Sequence, residues 1–536
     1  MKARIEDGVV YSPYPSIDIP VCSFYALAKE RLLWNPHKTA LVDDVTTLTR
    51  AEVLARMQRY AVGFRLNGVV PGDRVCVHLN NSTENLLAMY GCILAGAAVV
   101  LAKPSLNKSD FRYLVDDSDS THVLTDMENT GKVTRAVASL SLKGLFCMGR
   151  TAGFVSAAEF AELNESEYQE CPVDPKSTVL AVCYTSGSTG MPKGTEMTHY
   201  NYVACFYTTK FVVPLGEEDV FLAQNPITHQ SGMLYDVIFM LNGTMNVITP
   251  VSFNCVEIMG AIDKYNVTVL FLFTTRLQAL VCEMRHTGRR MPSVKRIILT
   301  GSVLSTAAAD AAREAFHDEL ECMLNMYGMT ESCSVITAQP KTSGTRTGSD
   351  TGVPNTMVML KVVDLVTGQK LGAHKIGEIC YNTPCMTRGY YKRPKESGEL
   401  FDEEGWCKSG DAGYYDDDGR LYIVERLKQL IKCMDNQVAP TELEELLLRE
   451  HSADVAEVSV VGLPHPEYGE APAAAVVLTQ EGRTKNPELL ATSMKATVES
   501  HLAVHKHLHG GVFFVDSLPK TDTAKVKRHA LARFLA

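Results

Sequence analysis

The sequence predicts an α/β protein of more than one domain, on three observations. Its 536 residues are too many for one ordinary hydrophobic core. From Phe24 to about Asp126, helix-like and strand-like runs alternate, the pattern of a sheet covered by helices on both faces. Farther on, Val267 to Phe273 and Arg296 to Thr300 are short, largely apolar runs rich in β-branched or aromatic residues, as parallel strands buried on both faces require.

Taken in order, Thr49-Arg-Ala-Glu opens an amphipathic helix that runs through Leu66. The turn Pro71-Gly72-Asp73 leads into a strand from Arg74 to Leu79. Leu86 to Ala102 carries no charge, yet it is about a residue short of a membrane span. Gly91 and Gly96 interrupt it, so a buried helix followed by a parallel strand at Ala97 to Leu101 is expected. Ser109 is expected to cap a helix reaching Asp117, with a strand at Val123 to Thr125. A helix-like run follows Thr198-His199 through Phe211, and His199 reads as structural. Asp350 to Asn355 and Gly377 to Cys380 read as turn and strand pieces of a β-rich subdomain. Tyr414 to Val424 reads as a hairpin around Asp418-Gly419, without an EF-hand's ligand spacing. After Pro440, Thr441 and Glu444 have the spacing of a capping box, and Leu443, Leu446 and Leu447 form an apolar stripe.

Hydrophobic residues at 46% and charged ones at 21% are those of a globular protein. A net charge of −10 argues against nucleic acid as a partner. Fifteen cysteines without a Cys-x-x-Cys pair fit reduced thiols of an intracellular compartment, not a disulfide framework or zinc site. His501, His505, His507 and His509 lack carboxylate or thiol company at ligand spacing. No apolar run follows the N-terminal Met1 to Asp7, so no signal peptide is expected, and the C-terminal residues are not the peroxisomal Ser-Lys-Leu. Cytoplasm is the expected location, with peroxisome or membrane surface left open.

The chemistry is concentrated in Tyr184-Thr-Ser-Gly-Ser-Thr-Gly-Met-Pro-Lys-Gly194. Glycines let backbone amides converge on an anion, the hydroxyls of Thr185, Ser186, Ser188 and Thr189 add donors, and Lys193 supplies a mobile positive charge. That composition suits a polyphosphate. It is not a Walker loop, because five positions on from Gly187 stands Pro192, and Gly194 follows Lys193. The Thr-Gly-x-Pro-Lys-Gly ending resembles the signature of the adenylate-forming (AMP-binding) superfamily, which includes acyl-CoA synthetases, 4-coumarate-CoA ligases, beetle luciferases and peptide-synthetase adenylation domains.

The resemblance extends over nearly the whole chain, with its motifs in family order. It implies a large N-terminal domain, residues 1–425, of helix-covered sheets plus a β-rich subdomain. A small mobile α/β lid, residues 426–536, would follow, hinged near Lys428. By resemblance Thr185, Ser186, Gly187, Ser188, Thr189, Gly190 and Lys193 hold the ATP phosphates. Asn325-Met-Tyr-Gly-Met-Thr-Glu-Ser332 is the second motif. There Tyr327 offers a face for adenine, Thr330 a hydroxyl and Glu331 a hard oxygen for Mg²⁺. His229 falls where the family lines the site of carboxylate activation. Asp411 and Arg426 match the pair that holds the ribose hydroxyls. Lys525, in Pro519-Lys-Thr-Asp-Thr-Ala-Lys525, matches the lysine of the adenylation step, and Lys432 belongs to the face presented for thioester formation.

The sequence departs from the family in three places. Thr300 and Val303 replace a glycine and a proline of the loop beside adenine, and Ala524 replaces a glycine. Lys432-Cys-Met-Asp-Asn-Gln437 carries Met434 and Asp435 where the family has lysine and glycine, at the approach to the pantetheine tunnel. The implied activity is attack of a fatty or aryl carboxylate on Mg-ATP, giving acyl-AMP and pyrophosphate, followed by transfer to CoA. A luciferase-like adenylating oxygenase remains an alternative, as does a non-catalytic nucleotide-binding protein suggested by Asp435 and Ala524. No carrier domain follows in the chain.

Overall fold

The computed structural model describes every residue except 186–190, 302–303, 305, 317–319, 342–349, 435 and 521–525. Ser186, Gly187, Ser188, Thr189, Gly190, Val303, Asp435, Ala524 and Lys525 therefore lie outside the described residues. The chain forms two compact units. The first comprises residues 1–360, 381–408 and 418–420, and the second 361–380, 409–417 and 421–536.

Two sheets of the first unit position the site. One has seven strands among the described residues, in the order Lys193–Thr198, Val179–Thr185, Ala98–Leu101, Arg74–His78, His122–Thr125, Gly144–Cys147, Val155–Ser156. All its neighbours are parallel except the first two strands. The other has nine strands among the described residues, six of them parallel: Thr39–Val42 at one side, and next to it five consecutive ones, Met245–Ile248, Val220–Ala223, Val269–Phe273, Arg296–Thr300 and Cys322–Gly328. Numbered along the chain these five stand in the order 2-1-3-4-5. The winding thus reverses between Val220–Ala223 and Val269–Phe273, and in open α/β sheets ligands bind outside the carboxyl ends of the strands at such a point.

The unbroken apolar runs have a direct cause. Leu270, Leu272, Ile297 and Leu299 pack into one core, whereas Val269, Phe271 and Ile298 pack into another. Successive side chains of a strand point to opposite faces, so a sheet covered on both faces needs an apolar residue at every position.

Most of the expected elements form. Thr49 caps the helix Arg50–Leu66 in a full capping box with Glu52. The uncharged run becomes the helix Thr83–Leu94 and the fully buried strand Ala98–Leu101. Among the described residues, no helix is long and apolar enough to cross a membrane. The helix Lys108–Asp117 is capped by Asn107, not Ser109: Asn107 Oδ1 accepts the Asp110 amide at 2.9 Å, and Ser109 donates to the same oxygen. The asparagine carbonyl, one residue before the first turn, reaches the exposed amides that the serine, inside that turn, cannot.

In the second unit the strands Val455–His465 and Gly469–Leu478 form a long antiparallel pair, extended by Ile431–Cys433, Asn436–Val438 and Gly511–Phe514. Helices Pro440–Glu450 and Pro487–His501 cover it, and Leu443, Leu446 and Leu447 are buried as expected. The expected capping box is absent. The helix starts at Pro440, which places Thr441 inside the first turn, and Thr441 Oγ1 donates instead to Glu425 Oε2 at 2.7 Å.

Candidate nucleotide- and acid-binding site

The glycine-rich loop leaves the carboxyl end of Val179–Thr185 and returns in Lys193–Thr198, with Thr185 and Lys193 directly opposite in the ladder. Both shoulders are tied to the helix Lys108–Asp117. Tyr184 donates its hydroxyl to Asp117 Oδ2 at 2.8 Å, and Tyr113 donates to the Pro192 carbonyl at 2.9 Å. Arg393 pairs with Asp117. Burial and the adjacent Asp117 push the Tyr184 phenol well above its ordinary pKa, so it stays a donor.

Glu331 follows the strand Cys322–Gly328, in the turn Thr330–Ser332. A Cβ at Gly328 would lie 2.7 Å from the Ser334 carbonyl oxygen, so this tight return admits no larger residue without backbone movement. Tyr327 is half-buried and packs in the same apolar cluster as Tyr390. Glu331 is 7% exposed, and its Oε1 accepts the Tyr390 hydroxyl at 2.8 Å. The Lys193 ammonium stands 5.2 Å from the centroid of the Tyr390 ring. The glycine-rich loop and the Glu331 turn, on different sheets, therefore meet at one tyrosine. No spacing or composition marks Tyr390, whose partners are 59 and about 200 residues away in the chain.

His229 lies past the carboxyl end of Val220–Ala223, and its ring stands edge-on to that of Phe273 at 6.3 Å, where Val269–Phe273 ends. It thus spans the point where the winding reverses. His229 also caps the helix Gln230–Asn242: Nδ1 accepts the Ser231 amide at 3.3 Å and lies 2.7 Å from Ser231 Oγ. With Nδ1 accepting, the neutral ring carries its proton on Nε2. Gln230 Nε2 donates to the Thr330 carbonyl at 3.1 Å, which joins this helix to the Glu331 turn.

Asn81 holds the loop from behind. Its amide nitrogen donates to the carbonyls of Asn225 (2.9 Å) and Thr249 (3.1 Å), and its oxygen accepts the Ile227 amide at 3.0 Å. The sequence carried no signal for it. His199 is structural, as expected: its Nδ1 accepts the Phe24 amide at 3.2 Å, and burial holds its pKa down at about 4.

In the second unit, Asp411 and Arg426 are opposite residues of the hairpin Cys407–Tyr415/Leu421–Arg426, 2.8 Å apart from Oδ1 to Nε. The Asp411 side chain is buried and that of Arg426 half exposed. Such a carboxylate, with a guanidinium at the surface, can accept from two vicinal hydroxyls. Lys432 has an exposed side chain in Ile431–Cys433, and Lys428 is exposed in the turn Leu427–Gln429. Arg528, three residues beyond Lys525, forks onto both Glu444 oxygens at 2.8 Å and onto Glu425 at 3.1 Å. This explains why Glu444 does not serve the helix cap.

Thr185, Lys193, Tyr327, Thr330, Glu331 and His229 thus belong to the first unit, and Asp411, Arg426 and Lys432 to the second. Among the described residues, no group of three His, Cys, Asp or Glu side chains stands ready for a metal. Mg²⁺ needs no such group when nucleotide phosphates and waters supply most of its ligands and the protein only one or two carboxylates, and Glu331, whose Oε1 accepts from Tyr390, could supply one.

Comparison with known proteins gives the family. The AMP-binding enzyme family matches residues 29–391, and the AMP-binding enzyme C-terminal domain matches residues 442–525. A probable 4-coumarate-CoA ligase 3 of Dictyostelium discoideum is 28% identical over 99% of this chain and 99% of that protein. A luciferin 4-monooxygenase of Nipponoluciola cruciata is 32% identical over 87% of this chain and 86% of that protein. An ATP-bound RpMatB-BxBclM chimera superposes with a TM-score of 0.85 at 25% identity, covering 95% of this chain and 98% of that one. The anthranilate CoA ligase AuaEII, solved with anthranoyl-AMP, shares the fold with a TM-score of 0.86 at 22% identity, covering 97% of this chain and 98% of that one. The chain belongs to the AMP-binding enzyme family, in the adenylate-forming branch that holds the coumarate ligases and luciferases.

Proposed function

We propose that this enzyme activates a fatty or aryl carboxylic acid with ATP to an acyl-AMP and then transfers the acyl group to CoA. The observation that carries the first half is the meeting of Lys193 and Glu331 at Tyr390, with the Glu331 turn joined through Gln230 to the helix that His229 caps. A carboxylate oxygen attacks the α-phosphorus, and the bond to the pyrophosphate oxygen breaks. Lys193 and the loop amides receive the departing pyrophosphate, and the Nε2–H of His229 orients the acid. Mg²⁺ at Glu331, when bound, offsets charge on the phosphate oxygens. Asp411 and Arg426 hold the ribose, Tyr327 the adenine, and Lys525 the charge that develops on the α-phosphate. A preorganised donor of this kind is worth about 3 kcal/mol of barrier.

For the second half, residues 426–536 act as a lid that turns near Lys428 and brings Lys432 to the acyl-AMP, since one lysine cannot serve both steps from one place. The names of the relatives support CoA as acceptor, and the apolar surroundings of His229 support an acyl chain or ring. On sequence grounds we place the enzyme in the cytoplasm.

ATP–pyrophosphate exchange over a panel of cinnamic, benzoic and fatty acids tests this. Exchange with at least one acid, its loss in Lys525→Ala, and CoA consumption with the same acid are expected. No exchange with any acid overturns the activity, and exchange without CoA consumption limits it to adenylation.

A further inference from the structure

We propose that Tyr390 is a positioning residue that sets the Glu331 carboxylate and the Lys193 ammonium as one assembly, so that the cation and the departing pyrophosphate are gripped in fixed relation. The inference rests on the ATP-dependent activity proposed above and assigns a role to a residue that touches neither the acid nor the nucleotide base.

Two different groups of Tyr390 do the two tasks. Its hydroxyl donates to Glu331 Oε1 at 2.8 Å, which fixes the plane of the carboxylate and presents Oε2 to a cation. Its ring face lies 5.2 Å from the Lys193 ammonium, close enough for the ring's negative face to hold the cation. Lysine on a flexible stem would otherwise sample many directions.

The backbone around Tyr390 is fixed from both sheets. Thr387 N donates to the Glu331 carbonyl at 3.0 Å, Glu196 N to the Gly389 carbonyl at 3.1 Å, and Tyr391 N to the Gly194 carbonyl at 2.8 Å. Tyr390 N donates to Ser397 Oγ at 2.8 Å, and Tyr390 pairs with Thr195 as an isolated antiparallel bridge. Gly389, at φ +130°, takes a conformation that disfavours side chains, and a Cβ there would meet Ser397 Oγ at 2.7 Å. Residues 387–391 thus form a short rung between the start of Lys193–Thr198 and the Glu331 turn, with one side chain reaching both.

The test separates hydroxyl from ring. Tyr390→Phe keeps the ring and removes the donor, whereas Tyr390→Leu removes both. Mn²⁺ binding, read by electron paramagnetic resonance with the non-hydrolysable α,β-methylene ATP analogue present, is expected to weaken roughly tenfold in Tyr390→Phe, the loss of one hydrogen bond to a charged group. Metal-free binding of the analogue is expected to be unchanged in Tyr390→Phe and to weaken about threefold in Tyr390→Leu. In a Glu331→Gln background, Tyr390→Phe should have little further effect on Mn²⁺. Affinity for the carboxylic acid and the melting temperature of the Phe variant should match the parent. Unchanged Mn²⁺ affinity in Tyr390→Phe, or full additivity with Glu331→Gln, overturns the proposal. Parent protein that binds the analogue but exchanges no pyrophosphate overturns the proposed function instead, and leaves the Mn²⁺ comparison intact.

Discussion

Replacing Asp236 by asparagine should change how the stability of this protein depends on pH. Asp236 sits in the helix Gln230–Asn242, where residues 232–241 are all buried, and it is 1% exposed. Neither carboxylate oxygen has a hydrogen-bond partner among the described residues. Burial therefore pushes its pKa well above the ordinary carboxylate range, and the folded protein holds it protonated. The unfolded chain releases that proton near pH 4 (~3.9). Between the unfolded and folded values the native state binds more protons, so this group's contribution is complete below about pH 4 and declines as pH rises. The decline is about 1.4 kcal/mol per pH unit while the pH stays below the folded value, or up to about 3 kcal/mol from pH 5 to pH 7.

Asparagine has nearly the same shape and does not ionise. The stability of Asp236→Asn minus that of the parent should therefore widen by up to about 3 kcal/mol in the variant's favour from pH 5 to pH 7. Urea unfolding followed by tryptophan fluorescence measures it, because both tryptophans, Trp34 and Trp406, lie in the same unit as Asp236. A difference that stays constant across this range would refute the reasoning.

Other substitutions probe the site from different sides. Asn81→Ala removes two hydrogen bonds to the loop before His229 and one to Thr249, and should cost about 2 kcal/mol of stability and raise KM for the acid while leaving KM for ATP in place. Equal rises in both constants would count against a local effect. Asp411→Asn should weaken AMP binding about tenfold by calorimetry, the loss of a charge-assisted acceptor, with acid affinity unaltered. Arg528→Met leaves Glu425 and Glu444 buried without their counter-charge and should destabilise the second unit by about 3 kcal/mol, read by hydrogen exchange in Val455–His465. Asp435→Gly should raise CoA-dependent turnover and leave pyrophosphate exchange unchanged; no gain in turnover would free Asp435 of any part in the second step.

How the sequence related to the structure depended on the range of the interactions. The cap at Thr49 rests on contacts three residues apart, and the strand at Val269–Phe273 on a run of adjacent apolar residues. Both were legible because their cause lies within one turn or one strand. Even local rules failed where a nearer or stronger partner competed. Asn107 displaced Ser109 as a cap, and Arg528, brought from 84 residues away, took Glu444 from its expected cap.

By itself, then, the sequence determined the α/β class, the doubly covered strands, the glycine- and hydroxyl-rich stretch from Tyr184 to Gly194 and the order of the other motifs, because each is written in short-range pattern. Only the tertiary structure decided what stands beside what. It brought His229 against Phe273 at the reversal of the winding, joined Lys193 to Glu331 through Tyr390, and set Asn81 behind the loop from 144 residues away. The first of these contacts arises where two neighbouring strands of one sheet end side by side, and the other two join strand ends of different sheets; all depend on strand order and on how the sheets pack, which no local stretch of sequence encodes.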